Sequence, residues 1–509
     1  MNPKPTYYFY DLETSGLNPR LDRIMQFAGQ RTDLDFNPIG EPDNILVALA
    51  DDTLPSPGAI MVTGITPQST RQDGLTEREF CEFLLEKVAT PNTTIMGYNS
   101  VRFDDEFVRH TLWRNFHDPY EWQWKDGRSR WDLLDVVRLT RALRPEGINW
   151  PVTPEGRPTN RLELITKENN ISHEHAHDAL SDVCALIAVT KLIHDKQPQL
   201  FDFLYKHRNK RDVADLVNLD NPQPFVYATG RYPSATCHTS VAYPFASADN
   251  GNVLVFDLRY NLDELLKGEA DAKAAGTLDF KKPFHERDPW ERGFQPIVKK
   301  LQYNHCPAVA PLGVLEKSVP ASSYQVPAGP TKSAAETAEL ARTGWQKIDL
   351  TLDQVQKNLK SLLAHPEFIE RMAKVKRPDY PPSVDPESAL YDGFLDDHDR
   401  LLCSTVRSNG ADDLADYHPH FLDDRLPELL LHYKAKNYPS ALAGDEIEKW
   451  EAYRTKRLAD QSPRFLEELQ KIQQTLGRGG SWGSRSPEDC AYLLEELHLW
   501  YESIQPADY

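Results

Sequence analysis

Paired cysteines are missing from this chain. Cys81, Cys184, Cys237, Cys306, Cys403 and Cys490 stand far apart, with no C-x-x-C pair among them. That spacing excludes a zinc ribbon and a disulfide scaffold, and it is the cysteine usage of a reducing cytoplasm. Long apolar runs are also absent: nothing approaches the ~20 residues of a membrane span. The opening Met1-Asn2-Pro3-Lys4-Pro5 lacks the apolar stretch of a signal peptide. No G-x-S-x-G elbow presents a nucleophilic serine, and no fixed-period repeat is evident. Gly477-Arg478-Gly479-Gly480-Ser481 follows no strand, so it does not read as a phosphate loop. Positive charge is in deficit as well: 58 Lys and Arg stand against 77 Asp and Glu, a net charge of -19. Net charge of that sign argues against nonspecific nucleic-acid binding. Net charge does not locate charge, however. Arginines recur from Arg102 to Arg161, at 109, 114, 128, 130, 138, 141, 144 and 157. They form either a local basic groove or a salt-bridged surface.

What is present is organised around Tyr8-Phe9-Tyr10-Asp11-Leu12-Glu13-Thr14. Aromatic residues favour a strand here, and Gly16 and Pro19 end it. Residues two apart on a strand share a side, so Asp11 and Glu13 project together and Leu12 faces away. Two carboxylates on one face repel, and burying them is costly unless cations neutralise them. Hard oxygen donors suit Mg²⁺ or Mn²⁺. Taken alone, D-x-E describes an exposed edge strand with two solvated acids better than a metal site; the residues further along reverse that balance.

A chain of 509 residues exceeds one ordinary core, and two to four domains are expected. Residues 6–50 read as three strands, the second near Arg23–Thr32 and the third Asn44–Ala50, followed by loop to Pro67. Thr76 to Val88 has helical periodicity, with Thr76 and Glu79 as a capping box. A short strand at Thr93–Tyr98 leads into a helix from about Phe103 to Phe116. Asp104 falls in its first turn, where the helix dipole favours a carboxylate. Trp122 to Arg130 reads as loop, Trp131 to Leu143 as amphipathic helix, and 161–170 as a short helix capped by Asn160. Asp178 caps a strong helix reaching His194. Asp182 lies one turn into it. His177 lies five residues earlier, in the loop ahead of the helix, where an imidazole is suited to proton transfer. His173 and His175 read as a surface histidine run, since no cysteine or second cluster accompanies them as a zinc site would require. From Pro222 to about Leu315, short apolar runs (225–228, 253–258, 296–301) suggest a mostly β domain. Lys317–Lys332 is linker-like. Helices follow from Trp345, with Asp445–Leu458 and Pro463–Leu476 as two of them.

Collected, the acids are Asp11, Glu13, Asp104 and Asp182, with His177 beside the last. Four converging carboxylates are tolerable around metal. Two divalent ions roughly 3.5–4 Å apart clamp the attacking and leaving oxygens of an in-line phosphoryl displacement. His177 then serves as general base toward water, and no serine or cysteine nucleophile is needed.

D-x-E on the first strand, the Asp ending GYNSVRFD, and HDALSD together resemble the DEDD exonuclease superfamily. Histidine five residues before the last Asp marks its His-type branch; the Tyr-type branch would carry Tyr where this chain has Asp178. The likeness is closer still. YDLETSGLNPRLDRIMQFAGQRTD, GYNSVRFDDE, RNFHDPY, SRWDLLDVVRLTRALRPEGINWP, HDALSDV and YDGF resemble the bacterial exodeoxyribonuclease I family, clearly over about residues 6–215 and more weakly beyond. The chain departs from it around Lys317–Arg342, which resembles an insertion.

The resemblance implies an α/β ribonuclease-H-like nuclease domain (1–197), an SH3-like β domain with an inserted linker (198–345) and an all-α C-terminal domain (346–509). It implies 3′→5′ hydrolysis of single-stranded DNA to 5′-mononucleotides, in DNA repair and recombination, by a monomer. Polarity and DNA preference come from the resemblance and not from residue types. Asp11, Glu13, Asp104 and Asp182 fall at metal-ligand positions for two Mg²⁺ (or Mn²⁺), His177 at the base, and Glu13 also at a substrate position. Arg109, Tyr120, Trp124, Arg138 and Arg161 fall at DNA-contacting positions. That agrees with arginines taking phosphates and aromatic faces stacking bases. The family also docks the acidic tail of single-stranded-DNA-binding protein; Arg144 is the matched basic position. Phe203 and Gln223 stand where relatives have Tyr and Lys, which implies weaker or rearranged docking.

Two other readings compete. One is an RNA-trimming or proofreading nuclease of the same superfamily, usually compact, against which the extra ~300 residues argue. The other is a non-catalytic DNA-holding scaffold, against which the intact acids and His177 argue. If arginines hold phosphates, log K for single-stranded DNA falls with log salt by about 0.7 per contact. Fluorescence anisotropy from low to high salt measures it; a flat line leaves stacking alone.

Overall fold

A computed structural model describes residues 3–173, 178–275, 288–295, 297–316, 344–375, 381–478, 480–483 and 485–506. His175, His177 and the 317–342 insertion lie outside these described residues. The chain folds into two compact units, one of residues 1–129, 173–184 and 379–509, the other of 130–172 and 185–378. Among the described residues no helix is long and apolar enough to cross a membrane.

The first unit is built on strands β1 (Thr6–Thr14), β2 (Ile24–Thr32), β3 (Asp43–Leu46) and β4 (Thr93–Gly97), in the order β3-β2-β1-β4. β1 is antiparallel to β2, with Asp11 opposite Ala28 and Glu13 opposite Gln26, and parallel to β4. Tyr8, Tyr10 and Leu12 share the core face of β1 with Phe27, Phe80, Ile95, Phe107 and Trp122. On the other face Tyr7 and Phe9 are buried as well, and only from Asp11 onward does burial alternate with a period of two. β3 is shorter than expected. Val47 still donates to the Met25 carbonyl of β2 at 2.9 Å, after which the chain leaves β2 and Ala48 donates to the Leu75 carbonyl at 2.8 Å instead. The expected loop before Pro67 contains helix α1 (Pro57–Thr63), capped by Ser56 with Pro57 at its first position. Helix α2 (Pro67–Asp73) follows, then α3 (Glu77–Phe83), which carries the Thr76–Glu79 capping box.

The C-terminal helices of this unit pack in a second apolar cluster. Met25, Leu49, Ile60 and Met61 join Leu458, Phe465, Leu469, Leu497 and Trp500 in one apolar cluster. The two helices expected on either side of Pro463 are one, Gly444–Gly477, with Pro463 inside it. Its buried face, from Trp450 through Leu458 and Phe465 to Ile472, continues across the proline. That packing offsets the ~3 kcal/mol a helical proline costs. Beside it lies a buried ionic network. Arg23 Nη2 meets Glu387 Oε2 at 2.5 Å, Arg114 Nη2 meets Glu77 Oε1 at 2.6 Å, and Arg457 Nη1 meets Asp385 Oδ2 at 3.0 Å. Lys436 Nζ lies 2.9 Å from Asp52 Oδ2 and also pairs with Glu387. Four cations thus face four anions. Burial opposes ionisation of Asp52 and Glu387, yet Lys436 with Arg457 and Arg23 holds both well below the usual carboxylate range.

In the second unit the strands are β6 (Phe225–Ala228), β7 (Thr239–Ala248), β8 (Asn252–Asp257), β9 (Val298–Leu301) and β10 (Ala308–Pro311). They form an antiparallel sheet in the order β10-β6-β7-β8-β9. Strand β5 (Ser129–Asp132) precedes them, where loop and then helix had been expected. Asp132 then caps α5 (Leu133–Leu143). Helix α6 (Leu162–Glu168) begins after Arg161, not Asn160, whose Oδ1 lies 3.4 Å from Arg141 Nη1.

Replacing Lys436 with Met leaves Asp52 and Glu387 short of a cation. Breaking a buried pair this way costs about 3–5 kcal/mol. Urea unfolding of Lys436→Met against the parent chain reads that loss.

Candidate active site

Asp11 and Glu13 leave β1 on the face opposite Tyr10 and Leu12, both half-buried. The chain reaches the third acid through a tight turn. Gly97 ends β4, and a Cβ there would meet Ser100 Cβ at 2.4 Å. Asn99 then takes a left-handed φ of 65°. A single 3₁₀ turn, Ser100–Arg102, delivers the chain to α4 (Asp104–Arg114). At its start the Tyr10 hydroxyl donates to Asp105 Oδ1 at 2.6 Å, while Asp104 is 4 % exposed. The fourth acid stands on α7 (Ala179–Lys196). Asp178 caps that helix by accepting from the Ser181 backbone N–H at 3.1 Å, and Asp182 lies one turn in.

Asp11, Glu13 and Asp182 each offer a carboxylate oxygen within 4.8 Å of the others. Asp104 is close enough to act on both strand acids. Burial, followed by repulsion from Asp104, Asp182 and Glu13, pushes Asp11 well above the ordinary carboxylate range. Burial, followed by repulsion from Asp182 and Asp104, raises Glu13 from 4.5 to about 8. Clustered hard oxygens of like negative charge are a donor set for divalent cations, and the residues fit such a group.

His173 was expected at the surface and is not there. Its side chain is 3 % exposed, and Nε2 lies 2.5 Å from Asp182 Oδ1. The available signal was the histidine run just ahead of HDALSD. Burial of His173 is a tertiary property, and the alternation of the run is not.

The proposed DNA-contacting residues divide between the units. In the first, Arg109 is 6 % exposed. It donates to Glu106 Oε1 at 2.6 Å and Gln123 Oε1 at 2.9 Å, with its guanidinium 5.4 Å from the Tyr120 ring centre. Tyr120 is half-buried, and Trp124 is 62 % exposed. In the second, Arg138 pairs with Asp135 at 2.6 Å, and Arg161 is largely exposed beside Glu163. Arg144 donates to the carbonyls of Leu143 and Val314 at 2.7 and 3.0 Å. Phe203 packs on His207 at 4.2 Å, and Gln223 is exposed. Much of the arginine run is structural: Arg114 is buried against Glu77, and Arg141 against the carbonyls of Thr159 and Pro151.

Three family models match the chain: Exonuclease over residues 8–190, Exonuclease I SH3-like domain over 208–326, and Exonuclease I C-terminal domain over 384–504. Exodeoxyribonuclease I of Haemophilus influenzae is 39 % identical over 472 residues, 92 % of this chain and 93 % of that protein. The chain belongs to the exodeoxyribonuclease I family. Its nuclease domain is therefore ribonuclease-H-like, followed by an SH3-like domain and a helical C-terminal domain. The fold matches that of Escherichia coli exonuclease I in complex with a dA16 oligonucleotide, at a TM-score of 0.83 and 35 % identity, covering 98 % of this chain and 100 % of that one. A structure of SSB/exonuclease I in complex with the inhibitor CFAM matches at a TM-score of 0.81 and 34 % identity, over 99 % of this chain and 100 % of that one.

The raised Glu13 has a thermodynamic consequence. A carboxyl whose folded value lies above its unfolded value stabilises the fold below pH 4.5 and loses that contribution as pH rises through about 8. In EDTA the unfolding midpoint should therefore drop across this window. Glu13→Gln should flatten the drop, and scanning calorimetry at several pH values measures both.

Proposed function

We propose that the chain hydrolyses single-stranded DNA from the 3′ end and releases 5′-mononucleotides, in DNA repair and recombination. The observation that carries this is the acid cluster: Asp11, Glu13 and Asp182 offer oxygens within 4.8 Å, with Asp104 close enough to raise the proton affinity of Asp11 and Glu13. It lies in a domain of the exonuclease family. The oligonucleotide complex of the Escherichia coli relative supports DNA as substrate.

In this reading Asp11, Glu13, Asp104 and Asp182 hold two Mg²⁺, or Mn²⁺. When bound, the ions supply Lewis acidity for the attacking water and charge neutralisation at the leaving 3′ oxygen. His177, just ahead of α7, takes the proton of that water. Glu13 also contacts the terminal nucleotide. Tyr120 and Trp124 stack bases, at about 1–3 kcal/mol per base. Arg109 backs the Tyr120 ring and completes the same surface, while Arg138 and Arg161 take phosphates. We further place domain boundaries at 1–197, 198–345 and 346–509, with the protein a monomer. Its six free cysteines fit the cytoplasm. Arg144 is the position for the acidic tail of single-stranded-DNA-binding protein, a partner supported by the SSB complex of the relative.

Single strands labelled at the 3′ or 5′ end, with and without Mg²⁺, test the activity. Mononucleotides should leave the 3′ end only when the metal is present, and faster from DNA than from RNA of the same sequence. Equal turnover of RNA favours the RNA-trimming reading; no mononucleotides at all favours a scaffold. Asp182→Ala should lose several kcal/mol of transition-state stabilisation, about 10³-fold in rate at roughly 1.4 kcal/mol per decade. DNA binding, read by anisotropy, should persist.

A further inference from the structure

We infer that His173 is a positioning residue for the metal site: its imidazole fixes the Asp182 carboxylate in the orientation that serves Asp11 and Glu13. The inference rests on the proposed metal role of those acids. Its own basis is the contact between His173 Nε2 and Asp182 Oδ1 at 2.5 Å, made by a side chain that is 3 % exposed.

Asp182 needs such a partner more than Asp11 and Glu13 do. The strand acids are held by a β1 backbone paired to β2, with Asp11 opposite Ala28 and Glu13 opposite Gln26. Asp182 sits in the first turn of a helix, where its backbone N–H returns to the Asp178 carbonyl at 3.0 Å. That bond sets the Cα position and leaves the side-chain torsions open. A carboxylate has about four lone-pair sites. One bond from an imidazole fixes the group and leaves capacity for a cation. Partners of this kind around a metal ligand orient it, and their loss costs about 10–100-fold in metal affinity or activity.

His173 has its Nε2 on Asp182, which gives it a holding task, and the proton of the attacking water stays assigned to His177. His173 approaches along the segment that follows α6 (Leu162–Glu168), and Asp182 comes from α7 (Ala179–Lys196). The contact therefore also ties the two sides of the segment carrying His177.

Mn²⁺ binding to the full-length protein without DNA, followed by electron paramagnetic resonance, tests this. His173→Ala should weaken Mn²⁺ binding about 10–100-fold and raise the Mg²⁺ needed for half-maximal cleavage by the same factor. The rate at saturating Mg²⁺ should stay near that of the parent chain. His173→Gln, whose amide nitrogen reaches toward the place of Nε2, should recover most of the affinity. Unchanged Mn²⁺ affinity in a folded His173→Ala would overturn the inference. So would a lost saturating rate at unchanged affinity, which would put His173 in the chemistry. If His173→Ala does not fold, His173→Asn, too short to reach Oδ1, gives the same comparison with His173→Gln. Asp182→Ala separates the two layers: if it binds Mn²⁺ as tightly as the parent chain, the metal site itself is wrong, whatever His173 does.

Discussion

Mutual repulsion among buried carboxylates sets the terms for the nuclease domain. β1 turns Asp11 and Glu13 to one side because strand side chains alternate, and α4 and α7 bring Asp104 and Asp182 against them. Burial first, and then repulsion from Asp104 and Asp182, raises the proton affinity of Asp11 and Glu13. Such a cluster is a standing cost to the fold. It is relieved by protons or by cations, and a phosphodiester hydrolase works with the second. The same strand offsets the cost from its other face, where Tyr8, Tyr10 and Leu12 enter a dense aromatic core.

Elsewhere in the same unit, buried charge is handled oppositely. Arg23, Arg114, Lys436 and Arg457 meet Asp52, Glu77, Asp385 and Glu387 one for one. Residues before 115 supply half of this network and residues after 384 the other half. The pairs link the C-terminal helices to the nuclease sheet through directional contacts, alongside the apolar cluster shared by Met25, Ile60, Leu469 and Trp500. Ion pairs of this kind add little net stability, because desolvation offsets the attraction. They are intolerant of a missing member, so they specify one docking arrangement among many greasy ones. One cluster is left unbalanced and reactive; the other is balanced and structural.

The proposed DNA surface shows how the same residue type serves different ends. Arg109 and Arg114 both lie on α4. Arg114 is spent on Glu77, deep in the ionic network. Arg109 is held by Glu106 and Gln123 and presents its face to Tyr120. An exposed ring such as Trp124 gains from rigid neighbours, because a stacking platform that is already ordered loses less entropy on binding.

The alternation of the first strand, the capping box at Thr76 and Glu79, and the spacing of HDALSD were legible in the linear chain, because each is a local pattern with a local cause. So were the family and its four acids, since motif residues keep their order. Pro463 misled because a local rule against proline in helices was overridden by a long buried face. His173 misled because alternating histidines look alike whether solvated or buried. By itself, then, the sequence determined the family, the order of its motif acids and the elements on which they sit. Only the tertiary structure decided which arginines are spent inside the protein, which charges balance, and that His173 reaches Asp182, because burial and long-range pairing depend on what the rest of the chain brings alongside.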